Sequence, residues 1–563
     1  MKKLNIVHLS CLAAMLFCSS CNDILTETNQ NPNEVDPSVA NPNMAMPTIM
    51  APTATSYLDL NWGNLGGVIQ HIQHDGWFGG VNHYDWGPEN WQPYYDRLRN
   101  TSLLINSPSP FHRGVALTIR AFNFGLIADY WGDAPYTQAL KATEGVWEPE
   151  FDSQETIYKG IIEELKEAAA IFATGDNSGY LTNYDTYFGG NTRKWHQFAN
   201  SLLLRYYMRL SEKLPDFARQ GVESIFATGI YIKDPADDAA INFVGSNASN
   251  GWPYIYHLTA DGQSSFRRKK PAQPFIDQLK GTNDPRLQVW FAPVHVQWVA
   301  DPTLPTEVDP YIRRNGVIQD GVISLTDERL AAEVAQGNKF TRHFNPALYA
   351  ANHEGATLDT SLYVGVPVGI RQPDYHNGNP TPGQTVENQH VSQLSNAYRY
   401  ANRPSLLRAK LIHAAEVAFI LAEAAQRGWN VGANAESHYN NAVRLSLQTW
   451  EVADKYDSFI QQPGVKYDGT LKQILTQKWV AAWACGSEAW MDFRRTGLPE
   501  FKPGPASPRP VLPVRFIYGD QEAAANRINT EAAIERLEST VHSPQKNSPW
   551  AKPWVIQGTG KPW

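Results

Sequence analysis

Between residues 77 and 95 the chain sets Trp77, Phe78, Tyr84, Trp86, Trp91, Tyr94 and Tyr95 among Asn82, His83 and Asp85, shortly after Asp75. A flat aromatic ring can stack on the apolar face of a sugar while Asn, Asp and His hydrogen-bond its hydroxyls. Trp91, Tyr94 and Tyr95 are followed by Leu98 at helical spacing, which predicts a core role for those three. Trp77, Phe78, Tyr84 and Trp86 instead stand among Gly76, Gly79, Gly80, Gly87 and Pro88. A large ring in such a loop is costly to expose unless it meets something. These four, with polar contacts from Asp75, Asn82 and His83, are the expected ligand-binding residues. A second aromatic loop, Trp252, Tyr254 and Tyr256, precedes Arg267 and Arg268; its Trp252 and Tyr254 join the candidate set.

Other chemistries find less support. His71 and His74, with Asp75 and His83 following, resemble a ligand cluster, yet no HExxH motif and no nearby cysteine completes a metal site. Glu416 and Glu423 invite a paired-carboxylate reading. Seven helical residues separate their Cα atoms by ~10.5 Å, beyond the ~5–9.5 Å that glycosidase carboxylates need, so hydrogen bonds to neighbouring helices are expected of them. Asp234, Asp237 and Asp238 lack the spacing of a calcium loop, and neither GxSxG nor a P-loop occurs. No metal, no cofactor and no catalytic residue is expected, although a carboxylate pair assembled from distant segments, as in a glycoside hydrolase, is the enzymatic alternative.

The elements that must position these residues are mainly helical. Residues 111–131, 153–173 and 192–211 carry apolar side chains at helical spacing, and the pattern returns at 406–428, 433–452, 468–484, 486–495 and 519–538. Between about 231 and 404 the chain turns to short apolar pieces, many Pro and Gly, and a very polar stretch from Asn377 to His390. Two helical regions, about 51–230 and 405–540, thus flank a loop-rich insertion. Alanine-rich faces such as Ala414, Ala415, Ala418, Ala422 and Ala425 permit the close helix pairing of tetratricopeptide-like stacks.

Composition narrows the class further. The 563 residues are 42% hydrophobic, carry 48 Lys and Arg against 56 Asp and Glu, and include 18 Trp and 25 Tyr but only 7 Met. A net charge of −8 gives no field to gather phosphates, so no nucleic acid partner is expected. Lys2 and Lys3 precede an apolar run from Ile6 to Phe17, a signal-peptide pattern too short to span a membrane. Small residues Ser19 and Ser20 directly before Cys21 resemble a lipobox, so residues 1–20 are the expected signal and Cys21 the expected lipidation site; ordinary cleavage after Ser20 is the alternative. Losing Lys2 and Lys3 takes the charge from −8 to −10. Residues 21–50, punctuated by Asn-Pro and Met-Pro, read as a lipidated tether, and 51–563 as the body. Cys485 is then a lone thiol expected to act as a small buried hydrophobe.

Several stretches together resemble the SusD/RagB family of outer-membrane nutrient-binding lipoproteins, in its SusD-like branch. They are the Asn-Pro-rich segment after Cys21, Asp-Tyr-Trp-Gly-Asp-Ala-Pro-Tyr at 129–136, the Trp195 helix, Asn-Asp-Pro-Arg-Leu at 283–287, Tyr-Val-Gly-Val-Pro-Val-Gly at 363–369, the Glu416 to Ala425 helix, and Gln477 to Trp479 through Glu488 to Arg495. The resemblance implies a mainly α, tetratricopeptide-like scaffold with an irregular insertion. It also implies a non-enzymatic, lipid-anchored, surface-exposed lid that captures oligosaccharides, or peptides in some members, over a SusC-like TonB-dependent transporter. The family's binding position, the loop after the first helix, falls on Asp75 through Trp86.

Overall fold

Helix starts follow the local chemistry closely. Asn41 caps α1 (Pro42–Leu60) by accepting from the Asn43 amide, with Pro42 in the first turn where its missing N–H costs nothing. The helix α2 (Pro110–Trp131) also opens on proline and stops at Gly132, whose φ of +99° suits glycine. Ser153 caps α3 (Gln154–Ala173), and Asn191 caps α4 (Thr192–Arg209). Then come α5 (Pro215–Thr228), α6 (Ala414–Gln426), α7 (Ala435–Thr449, capped by Asn434), α8 (Leu471–Ala481, capped by Thr470) and α9 (Ser487–Thr496). The computed structural model describes residues 40–76, 79–243, 268–319, 332–380, 388–395, 408–485 and 487–563.

The scaffold is built by pairing these helices. α2, buried on nearly every face, lies along α3; α3 lies along α4, and α4 along α5. A Cβ at Gly125 of α2 would sit 2.0 Å from the Tyr206 hydroxyl of α4, so glycine there permits the close crossing. In the C-terminal half α6 packs on α7 and α8, and also reaches α4, joining the two halves in one core. This is the mainly α, tetratricopeptide-like scaffold, with Ala414, Ala415, Ala418 and Ala422 buried on the face of α6 as its composition predicts and Ala425 partly buried beside them.

Three boundaries differ from the sequence reading. Residues 42–50 are helical, with Met46, Ile49 and Met50 fully buried, so the folded body begins inside the segment expected to be tether; the apolar side chains recur every three to four residues despite Pro47 and Pro52. Residues 408–412 form a strand antiparallel to Ala239–Asn242 in place of the expected first helical turns. The expected helix at 519–538 is two, Asp520–Ala525 and Arg527–Glu535, broken at Asn526, whose side-chain Nδ2 donates to the Pro149 carbonyl at 2.7 Å.

The insertion is irregular but not only loop. Val296–Ala300 runs parallel to Phe340–Phe344, and Arg313–Arg314 with Val317–Ile318 completes a small mixed sheet. Trp298, Phe344, Tyr349 and Leu358 form its own apolar cluster. Among the described residues no helix is long and apolar enough to cross a membrane.

Candidate functional site

Ile72–His74 pairs antiparallel with Lys269–Pro271, Gln73 opposite Lys270. The ribbon ends at Asp75 and Arg268. The Asp75 amide donates to the Arg268 carbonyl at 3.2 Å, and the Arg268 guanidinium meets the Asp75 carboxylate at 3.0 Å. Lys270 stands 3.9 Å from the other carboxylate oxygen. Burial pushes the Asp75 carboxyl above its ordinary range; Lys270, Arg268 and the backbone amide of Asn388 pull against it. Asp75 therefore sits where the described ends of three segments meet: 76, 268 and 388. The first leads into Trp77 and Phe78, the second follows the stretch that contains Trp252 and Tyr254, and the third follows the polar 381–387. Trp77, Phe78, Trp252 and Tyr254 themselves lie outside the described residues.

The remaining candidates are not where an exposed platform would need them. Asn82 is buried and closes the loop on itself: its Oδ1 accepts the His74 amide at 2.8 Å, and its Nδ2 donates to the carbonyls of His74 and Gly76 at 2.9 and 3.2 Å. His83 is buried with Nε2 at 2.9 Å from the Ile370 carbonyl. Tyr84 has no solvent-accessible surface and a φ of +60°, a left-handed backbone that a bulky residue adopts only when packing enforces it. The Trp86 indole is 5% exposed, donates to the Gly80 carbonyl at 2.8 Å, and packs edge-on against Trp490 and Phe516. The expectation that Tyr84 and Trp86 offer free faces is thus corrected, and Asp75, Asn82 and His83 act first as loop-holding groups.

The glycines explain the difference. A Cβ on Gly80 would lie 2.5 Å from Asn64 Oδ1, and one on Gly67 would lie 2.1 Å from the Val81 carbonyl oxygen. They allow the loop to press onto the Asn64–Val68 turn, which buries its rings. The loop is also braced by segments far away in sequence. Gly369 donates to Gln73 Oε1 at 3.2 Å, Gln70 donates to the Lys502 carbonyl at 2.7 Å, and Ala506 donates to the Gly369 carbonyl at 2.7 Å. Lys270, Ile370 and Asn388 belong to this junction, and nothing in the sequence pattern signalled them.

The groups weighed for other chemistry have structural partners. His71 Nε2 meets the Trp479 carbonyl at 3.0 Å, and burial pushes its pKa down to about 3, so the ring is neutral. Burial likewise holds His74 well below its ordinary value. No group of three or more His, Cys, Asp or Glu that could hold a metal occurs among the described residues. Glu416 takes a two-pronged contact from Arg205 at 2.7 and 2.8 Å, as Glu423 does from Arg495 at 2.5 and 2.8 Å. Arg209 bridges Glu488, at 2.8 Å, and Asp129, at 3.0 Å. Burial pushes Glu423 and Glu488 upward, but Arg495 with Arg427 and Arg205 with Arg209 outweigh it, holding both near 2. The hydrogen-bonding role expected of Glu416 and Glu423 is the one they have. They tie α6 to α4 and α9, and paired this way they are committed to holding helices together. Cys485 is a buried free thiol, as expected, pushed by burial to about 11.

Known structures share this architecture. An outer-membrane protein from Bacteroides vulgatus, described in connection with nutrient binding, superposes with a TM-score of 0.67 at 22% identity, covering 92% of this chain and 100% of that one. A SusD homologue from Bacteroides fragilis gives 0.65 at 20% identity over 90% and 99%, and a chitin-binding protein gives 0.66 at 21% over 92% and 100%. No curated protein matches the chain. A family model described as starch-binding associating with the outer membrane matches residues 36–300 and 346–519, most of the folded body and both sides of the Asp75–Arg268 junction, and the chain therefore belongs to the SusD-like family.

Proposed function

We propose that this protein captures oligosaccharides at the Asp75–Arg268 junction and passes them to a SusC-like TonB-dependent transporter, without acting on them chemically. The observation that carries the reading is the junction itself. The two aromatic segments singled out by composition are separated by more than 150 residues, yet their described ends leave one ribbon and are held by one ion pair. Trp77 and Phe78 from one side and Trp252 and Tyr254 from the other would supply the stacking faces, with Arg268 hydrogen-bonding sugar hydroxyls. A ligand covering ~60–80 Å² of ring at ~25 cal/mol per Å² gains about 1.5–2 kcal/mol per ring, a tenfold or larger effect on affinity.

The engagement of Glu416 and Glu423 with arginines supports a binding role over a hydrolytic one. Lipid on Cys21 would hold the protein at the outer membrane, where two or more acyl chains give stable attachment and one is marginal.

Calorimetric titration with a panel of neutral oligosaccharides, starting with maltoheptaose and chitohexaose, tests the proposal. Trp77→Ala and Trp252→Ala should each weaken binding at least tenfold, and prolonged incubation should release no product. Retained affinity in both variants, or steady product formation, would overturn it.

A further inference from the structure

Away from the Asp75 junction, the scaffold carries a cavity of about 340 Å³ lined by Trp91, Tyr95 and Phe151 together with residues of the short helix Asp520–Ala525. No described residue of the 231–404 insertion lines it. Its floor is aromatic: half-buried Tyr95, its hydroxyl fixed on the Pro135 carbonyl at 2.9 Å, rests on the buried Trp91 at 5.7 Å, which in turn packs at 5.5 Å against the buried Phe151. Its rim is polar. Gln92 and Gln521 are exposed, Glu522 is half-buried, and none of the three has a side-chain hydrogen bond or ion pair among the described residues. The indole of Trp147, 77% exposed, projects from the same 140–151 loop that supplies Leu140, Pro149 and Phe151 to the wall.

Half-buried Tyr95, Ala139, Leu140 and Pro149 give the cavity an accessible apolar wall, and with unused amide and carboxylate groups at its edge it matches what a pyranose presents, an apolar face bounded by hydroxyls. The volume lies at the small end of ligand pockets, ~300–1,000 Å³, room for one or two sugar rings. Among the described residues the sole charged group on the lining is Glu522, which accepts from hydroxyls and repels uronate or sulfate. The walls are already held in place: Asn526 donates to the Pro149 carbonyl at 2.7 Å, tying the short helix to the loop opposite.

We infer that this cavity is a second carbohydrate subsite, specific for neutral sugars and independent of the Asp75 junction; the inference rests on the carbohydrate reading above. Two subsites on one chain would let a long glycan be held at two points, raising its avidity over that of a short one.

The experiment is calorimetric titration of the full chain with maltoheptaose, chitohexaose and their trimers, alongside an oligogalacturonate. Ala525 lines the cavity and is exposed, so Ala525→Trp should fill it with little effect on melting temperature. The expected result is that Ala525→Trp removes one binding event and leaves the other, while Glu522→Ala weakens that same event roughly tenfold, the scale of a lost hydrogen bond to a charged group. Trp77→Ala should weaken at least tenfold the event that Ala525→Trp spares. If both cavity variants titrate like the wild type while Trp77→Ala loses binding, the second subsite is wrong and the function stands. If the wild type binds no neutral oligosaccharide, both fall. Preference for the oligogalacturonate would overturn the assigned sugar class. If Ala525→Trp blocks co-purification with the transporter while sugar titrations are unchanged, the cavity is a protein contact and the subsite is overturned.

Discussion

Trp86→Ala separates a ring that holds the loop from a ring that holds a ligand. The indole is 5% exposed, hydrogen-bonds to Gly80, and lies edge-on to Trp490 at 5.5 Å and Phe516 at 5.3 Å. Truncating a core aromatic to alanine costs ~3–5 kcal/mol, since the cavity left behind adds to the lost transfer energy. Unfolding entropy of ~2.1 cal/mol/K per residue gives about 1.2 kcal/mol/K for a chain of 563 residues. The midpoint should therefore fall by ~3–4 °C if the body unfolds as one unit. Scanning calorimetry of wild type and variant, followed by titration of each with maltoheptaose below the transition, reads both quantities. The expected outcome is a lowered midpoint with affinity within about twofold of wild type. An unchanged midpoint together with tenfold weaker binding would refute the reasoning, because it would mean that the ring faces the ligand and not Trp490.

Trp77→Ala should show the opposite pattern, tenfold or greater loss of oligosaccharide affinity with an unchanged midpoint, read in the same pair of measurements. Glu423→Gln leaves Arg495 and Arg427 facing a neutral group inside the core and should cost ~3–5 kcal/mol of stability, with binding by the folded protein unaltered; a neutral effect in denaturant unfolding would contradict the network described. Burial lowers the pKa of His71 to about 3 in the folded chain, against ~6.5 when unfolded, so the unfolded state takes up the proton first. Its stabilisation is present above pH ~6.5 and is lost as pH falls towards 3. Between pH 7 and pH 5 that loss amounts to about 2 kcal/mol, and His71→Gln should show a correspondingly shallower decline in calorimetric midpoint over that range. Cys21→Ala should abolish metabolic labelling with a fatty acid; equal labelling of variant and native chain would remove the anchor from Cys21.

Much of the scaffold was legible without coordinates because the information that makes it is local. α2, α3 and α4 repeat apolar residues at the helical period, and Ser153 and Asn191 are the caps the positions of α3 and α4 require. Trp91 and Tyr94 read as core from the same spacing and are buried. Seven residues of helix were enough to deny Glu416 and Glu423 a shared catalytic centre.

What only the tertiary structure decided are the relations between segments with no common local signal. A run such as 408–412 is compatible with helix or strand until Ala239–Asn242 offers it a partner to pair with. Glycines around Tyr84 and Trp86 looked like the mark of an open loop, but glycine also permits close approach: Asn64 comes up against Gly80, and the loop's own Val81 presses onto Gly67. The partners that bury Trp86, Trp490 and Phe516, lie some 400 residues away, as does Lys502, the carbonyl partner of Gln70. Whether an aromatic ring in a glycine-rich loop faces water is set by what packs over it, and in a chain that buries its surface through long-range contacts that covering comes from residues whose proximity exists only once the chain has folded.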